Sequence, residues 1–540
     1  MISVCQSLSV GTVLGDSVRA YTIEKVTDEN IYLRGHPDGQ RGETNTGRGA
    51  LRIIPVPVIT DIVVGIKSGK IQLEDILRKN RKERNLSPLF VELGVDHDPY
   101  ILGYDSTIQR ICEHCLSYPV ELPPTVPHKK TVYPVSLGAS LPKPFLLLAG
   151  ISGTGKTRFV REQADASAAA ERYQVKKDDN FCLVPVRPDW HEPSDLLGYI
   201  SRIGSDGPRY VTTDLLHFII AAWRHAVASS SVAGIVYKPM DSICPFWLCL
   251  DEMNLAPVEQ YFADYLSILE TRRWTDGTYT CDPLLKSAVI QQQLGESGKN
   301  DFWGKLNLAG DDPLSSGLRD YFSTVGIPIP PNLIVAGTVN MDETTHGFSR
   351  KVIDRALTID FGEFFRNDYG QFFTPENRPK TFGFPVLSHI TRNDLSGVKA
   401  DPEGQGTIGL LEAVNGILKD TPFELAYRAL NEALLSVVCF NPSDDTQLQA
   451  VWDDFLMMKV LPRIEGDADK LNSDGEASML TRLSDILQEK LSGIWEGGRP
   501  DLLSEKAADG SPVMTFCRSK KKLAWMQNRL AVNAFTTFWP

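Results

Sequence analysis

The run Gly150-Ile-Ser-Gly-Thr-Gly155-Lys156-Thr157 has the spacing G-x-x-x-x-G-K-[ST]. Glycines at 150, 153 and 155 let a backbone curl until several N–H groups point inward, where they can cradle phosphate oxygens. A helix starting at the end of such a loop adds the partial positive charge of its N-terminus. In that setting Lys156 is expected to reach the β- and γ-phosphates of a bound triphosphate. The Thr157 hydroxyl is expected to ligate Mg²⁺. The motif carries meaning only between a strand and a helix. The apolar run Phe145–Ala149 before it and the helical pattern Arg158 to Ala170 after it supply both.

A second run, Phe246-Trp-Leu-Cys-Leu-Asp251-Glu252, is an apolar strand ending in two carboxylates. An acidic strand end means little alone. Downstream of a phosphate loop it gains a role, because parallel strands present ligands at their carboxyl ends. Asp251 would hold Mg²⁺ directly or through water, and Glu252 would polarise an attacking water as general base. A third run, Leu333-Ile-Val-Ala-Gly-Thr-Val-Asn340, ends in a polar residue that could orient that water. A buried amide needs a partner, and the γ-phosphate or the water would be one.

The elements that must position these residues follow from the pattern. FLLLAG, FCLVPV, FWLCLDE and LIVAGTVN alternate with helical stretches. Near-continuous apolar runs suit strands buried on both faces, so the expectation is an α/β core with a parallel sheet over 145–362. Helical patterns near Gly409–Leu418, Pro422–Cys439, Gln447–Val460 and Ser478–Ile494 predict a helical lid and C-terminal region over 363–540. Residues 1–116 read as a separate α+β domain, with β-like runs at Arg19 to Val26, Ile31 to Arg34 and Leu51 to Val56. A Gly-rich polar loop, Gly35 to Gly49, interrupts those runs, and a helical pattern from Val58 to Glu83 follows them. Between the two parts, 117–144 is a linker. Tyr118 to Pro144 holds seven prolines, each of which fixes φ and removes a donor.

The 540 residues are 42% hydrophobic and 23% charged, the balance of a globular protein, with a net charge of −12. That charge excludes wholesale nucleic-acid binding and leaves only local basic patches for it. Nine cysteines are scattered along the chain, and Cys112 and Cys115 alone form a close pair. A zinc site needs four ligands, so a reduced intracellular pair is expected instead. The start MISVCQSLSVGTV lacks a basic stretch followed by an apolar one, and no run approaches the ~18 apolar residues of a span. A cytoplasmic chain with no membrane contact is expected.

Phosphate loop, Asp-Glu strand end and Asn strand end, in this order, resemble an AAA+ ATPase. Asp251-Glu-Met-Asn-Leu-Ala-Pro followed by Tyr261-Phe-Ala-Asp-Tyr-Leu-Ser-Ile-Leu-Glu270 is similar to the McrB and dynein-related (MoxR-like) branch. So is Gly337-Thr-Val-Asn-Met-Asp-Glu followed by Phe348-Ser-Arg-Lys-Val-Ile-Asp-Arg355. The resemblance covers roughly residues 140–470. The branch's Met-Asn-x-x-Asp signature stands here as Val339-Asn340-Met341-Asp342-Glu343, which leaves ATP and GTP both open as substrate. The resemblance implies an arginine finger at Arg355, with Arg350 as the alternative. A finger stabilises the transferring phosphate of a neighbouring subunit, which implies a homo-oligomeric ring, mostly a hexamer among relatives. Arg428, in Ala426-Tyr-Arg, falls at the lid's sensor position, with a plain salt bridge as the equal alternative. Lys459 and Arg463 are further candidates near the nucleotide.

McrB is the motor of a modification-dependent restriction system, and such motors usually carry a variable DNA-reading domain at the N-terminus. Arg34, Arg41 and Arg48 on and beside the Gly-rich loop, and Arg78-Lys79-Asn-Arg81-Lys82-Glu-Arg84, give residues 1–116 the charge to contact phosphates. A solvated basic helix end is the alternative. No nuclease motif stands out, so the resemblance implies a separate McrC-like nuclease subunit. The competing classes are a MoxR-like chaperone remodelling protein partners and a nucleotide-switched binding platform. At the C-terminus, Arg518-Ser-Lys520-Lys521-Lys522 reads as a solvated charge run. The Trp- and Phe-rich Leu523–Phe538 after it would dock a partner or close the helical region.

Overall fold

The computed structural model describes residues 140–540 apart from 204–206, 233, 276–277, 342–347, 366–368, 372–377, 472–477, 508 and 540, together with four N-terminal strands. The chain divides into two units, Met1–Val132 and Tyr133–Pro540.

In the first unit, Val13–Gly15, Ala20–Val26, Asn30–Gly35 and Leu51–Pro55 form an antiparallel sheet in chain order. Three of these match the β-like runs read from the sequence. Val58 to Glu83, the basic cluster Arg78–Arg84, most of the Gly-rich loop, Cys112, Cys115 and most of the linker lie outside the described residues.

The second unit is built on five parallel strands: β1 Phe145–Gly150, β2 Phe181–Pro185, β3 Phe246–Asp251, β4 Leu333–Asn340 and β5 Leu357–Asp360. Their order across the sheet is β5-β1-β4-β3-β2. Every residue of β1 and β4 is buried. Successive side chains of a strand point to opposite faces, and here each face meets its own core. Leu146, Leu148, Trp247, Cys249, Ile334 and Ala336 enter one core, while Phe145, Leu147, Phe246, Leu248, Leu333 and Val335 enter the other. That two-sided burial is why these strands read as unbroken apolar runs. The first of the two cores also holds Phe159, Val160 and Ala164 of helix α1, Lys156–Ala168.

The same core is continuous with the C-terminal helices. These are α2 Gln405–Leu418, α3 Tyr427–Phe440, α4 Asp445–Phe455, α5 Met479–Lys490 and α6 Arg518–Asn533. After α4 the chain widens to a π-helix over Leu456–Val460. The region is not wholly helical. Glu465–Asp467 pairs with Phe535–Thr537, and Gly498–Pro500 with Met514–Phe516, both antiparallel.

The expectation of a solvated charge run at 518–522 is corrected. Arg518 and Lys522 are buried, whereas Lys521 is exposed. Helical spacing puts 518, 519, 522, 523 and 526 on one face, and acids wait beneath it. Asp453 and Asp454 of α4 are clamped by Arg499 and Arg518: Asp453 Oδ2 lies 2.7 Å from Arg499 Nε, and Asp454 Oδ1 2.9 Å from Arg518 Nη1. Arg499 also pairs with Asp454. Asp453 accepts four further bonds, from the backbone N–H groups of Arg518 (2.8 Å) and Ser519 (2.8 Å), from the Ser519 hydroxyl and from the Cys517 thiol (3.4 Å). Lys522 Nζ reaches Asp360 at the end of β5, 2.7 Å away. Buried charges persist only when paired in this way. The aromatic tail closes the region, with Phe538 fully buried.

Among the described residues no helix is long and apolar enough to cross a membrane.

Candidate active site

The carboxyl ends of β1, β3 and β4 converge. β1 runs into the loop at Gly150, and the chain then passes Gly153 and Gly155 with φ of 78° and 89°. That left-handed backbone is open to glycine at little steric cost. Gly155 caps the N-terminus of α1, so the loop leads directly into a helix, as the motif requires. Lys156 is 5% exposed. Its Nζ donates to the carbonyls of Gly150 (3.0 Å) and Ile151 (2.7 Å) of its own loop.

Thr157, the second residue of α1, donates its hydroxyl to Asp251 Oδ1 at 2.6 Å. Two elements far apart in sequence are thereby joined at the two residues chosen as magnesium ligands. O–H···O⁻ bonds this short are charge-assisted. Asp251 Oδ1 accepts a second hydroxyl, from Thr338 of β4, at 2.7 Å. Both donors fall on Oδ1, which leaves Oδ2 free of them. A threonine hydroxyl and a carboxylate are the hard oxygen donors that Mg²⁺ takes, and Mg²⁺ keeps several waters besides. The residues fit that ion.

Glu252 follows directly and turns the chain out of the sheet. It is a non-glycine residue in the left-handed region, φ 53° and ψ 51°. Such a conformation costs on the order of 1–2 kcal/mol and persists where surroundings impose it. Its backbone N–H donates to Thr338 Oγ1 at 2.9 Å. Its side-chain Oε1 accepts from Asn340 Nδ2 at 3.1 Å. The turn Met253–Leu255 then packs under β4, where the Cβ of any other residue at Gly337 would lie 2.4 Å from Met253 Sδ. Asn254 Nδ2 donates to the Asn340 carbonyl at 3.1 Å, tying the turn to the strand end. The structure thus brings together Gly150, Gly153, Gly155, Lys156, Thr157, Asp251, Glu252 and Asn340.

Residues 391–535 match a family described as a domain of unknown function, DUF8727, which covers about a quarter of the chain and none of these site residues. No curated protein matches the chain. Among the described residues no cluster of three or more His, Cys, Asp or Glu side chains has the arrangement of a metal site.

The arginines have partners of their own. Arg355 sits between the short helix Arg350–Ile353 and β5. Its Nη1 donates to the Lys351 carbonyl at 3.0 Å, and its Nε is buried without a hydrogen-bond partner among the described residues. Arg350 instead donates to the Pro422 carbonyl at 2.9 Å and stacks over Phe423. Arg428 makes the salt bridge that its position left open, 3.2 Å from Glu270. Arg463 pairs with Asp354 at 3.0 Å. Lys459, 5% exposed, donates to the carbonyls of Ile353 (3.2 Å), Asp354 (2.9 Å) and Ala356 (2.8 Å), which flank Arg355. It also pairs with Glu432 at 2.8 Å, and Glu432 in turn with Lys143. Burial pulls the Lys459 ammonium down to about 8, against the opposing pull of Glu432. Asp342 and Glu343 lie outside the described residues.

Sequence reasoning passed over Thr338. Thr338 stands two residues before Asn340, so the strand's alternation puts both on one face. That spacing was the available signal. Lys459, a candidate for the nucleotide's surroundings on its sequence, instead spends its ammonium on the backbone around Arg355 and on Glu432.

Proposed function

We propose that this chain is an AAA+ nucleoside triphosphatase, the DNA-binding motor of a restriction or antiphage system like McrB. One observation carries the triphosphatase reading: the 2.6 Å bond from Thr157 of the glycine loop to Asp251, beside a Glu252 that Asn340 orients. In this reading the loop amides and Lys156 grip the β- and γ-phosphates of ATP or GTP, and Lys156 exchanges its loop carbonyls for phosphate oxygens. Thr157 and Asp251 would hold Mg²⁺, which would neutralise charge on the transferring group. Glu252 takes the proton of the attacking water, and Asn340 fixes the direction of that carboxylate.

Arg355 serves a neighbouring subunit in a homo-oligomeric ring, hexameric as in most relatives. Its side chain is only partly buried, and the hydrogen bond of its Nη1 to the Lys351 carbonyl is exposed, which supports that reading. The first unit contacts DNA through its basic residues, and a separate McrC-like nuclease cuts. The chain works in the cytoplasm.

Phosphate release from ATP and from GTP by the full chain, with and without duplex DNA, tests the proposal. Magnesium-dependent turnover of at least one nucleotide, raised by DNA and less so as salt rises, is expected. No turnover of either nucleotide would overturn the triphosphatase reading. Turnover indifferent to DNA would overturn the motor assignment and favour a MoxR-like remodeller of protein partners.

A further inference from the structure

We propose that Thr338 is the positioning residue that sets both site carboxylates, fixing which oxygen of Asp251 faces the metal and holding Glu252 in its left-handed turn. The inference rests on the triphosphatase reading and deepens it. Thr338 is 2% exposed and belongs to β4, the strand hydrogen-bonded to both β1 and β3. The last register pair between β3 and β4 is Leu250 with Gly337, so Thr338 lies beside Asp251 where the two strands part.

Its hydroxyl performs two tasks at once. The proton goes to Asp251 Oδ1 at 2.7 Å, and a lone pair accepts the Glu252 N–H at 2.9 Å. A hydroxyl has one proton and two acceptor pairs, so this use is self-consistent. The β-branched side chain is stiff about χ1, and the strand beneath it is buried along its whole length. Thr338 is therefore a fixed donor. Thr157 shares Oδ1 but sits on the helix that leads out of the loop, where its oxygen is also wanted by the metal.

With Oδ1 occupied by two hydroxyl protons, Oδ2 is the oxygen turned to the magnesium shell. With its N–H held, Glu252 keeps the turn that carries its carboxylate to Asn340. Removing the hydroxyl while keeping the shape frees Asp251 to rotate and leaves the Glu252 N–H unpaired.

The test compares wild type, Thr338→Val and Thr338→Ser as full chains. It measures the Mg²⁺ concentration for half-maximal hydrolysis, kcat, and the affinity for nucleotide with magnesium chelated. For Thr338→Val, kcat is expected to fall and the magnesium requirement to rise, each by roughly tenfold to a hundredfold, the range of a lost bond to a charged group. Metal-free nucleotide affinity stays within about twofold, because the loop and Lys156 are untouched. Thr338→Ser restores both parameters. Thr338→Cys, a weak donor and acceptor, takes the place of the valine variant if that one fails to fold. Unchanged kcat and magnesium dependence in the valine or cysteine variant, beside an active wild type, overturn the proposal alone. A wild type without hydrolysis overturns the reading of the site, and the proposal with it.

Discussion

Glu252→Gln is expected to bind magnesium-nucleotide as wild type does and to hydrolyse it about 10²–10⁴-fold more slowly, the usual contribution of a positioned general base. The amide keeps the Oε1 that Asn340 contacts at 3.1 Å, so side-chain placement survives the change. The backbone also survives, since the left-handed turn is held through the Glu252 N–H and Thr338. What disappears is the basic oxygen. Steady-state phosphate release together with equilibrium nucleotide binding separates the two effects. A glutamine variant that turns over at the wild-type rate would show that another group accepts the proton. A variant that loses binding as well would show that Glu252 shapes the site more than it acts in it.

Arg355→Ala is expected to lose about 10³–10⁵-fold in turnover with nucleotide binding intact, the scale of a charged finger supplied to the transition state. Its position favours such a role over a structural one. One nitrogen is spent on the Lys351 carbonyl, and the buried Nε has no partner among the described residues. The backbone on either side is pinned by Lys459, so the guanidinium stands on a rigid base. Action between subunits makes a sharper expectation. Mixing the inactive Glu252→Gln and Arg355→Ala chains should restore part of the hydrolysis, because the first supplies an arginine to the intact carboxylate of the second. Normal turnover by Arg355→Ala, or no recovery on mixing, would remove the finger from the account.

The core of the site was readable from the chain because each part carries a local signature. A glycine loop has to announce itself at fixed spacing, and β1, β3 and β4 are unbroken apolar runs because both their faces are buried. β4 ends at Asn340 as its sequence suggests. The strand β5 was not picked out. Leu357–Asp360 is short, and it is buried because helices from the end of the chain cover that edge, a fact no local pattern contains. Lys522 failed for the same reason. Five residues rich in lysine read as a solvated stretch until a helix places Lys522 over Asp360, on a strand far upstream. Thr338 was missed for another reason. A threonine within an apolar strand looks like any β-branched strand residue, and only the meeting of β3 with β4 brings its hydroxyl to the Asp251 carboxylate and the Glu252 N–H. Local periodicity thus exposes the residues that make a loop or a strand. Residues that act by joining elements stay hidden until the elements are packed.

Binding of magnesium-ATP and magnesium-GTP to the full chain and to Lys156→Ala, followed by calorimetry, bears most directly on whether the glycine loop and the two acids form one triphosphate pocket. Saturable wild-type binding of at least one nucleotide is expected, weakened by about a hundredfold or more without the lysine, as for loss of a buried charge contact. Wild type that binds neither nucleotide, or Lys156→Ala that binds as tightly as wild type, would contradict it.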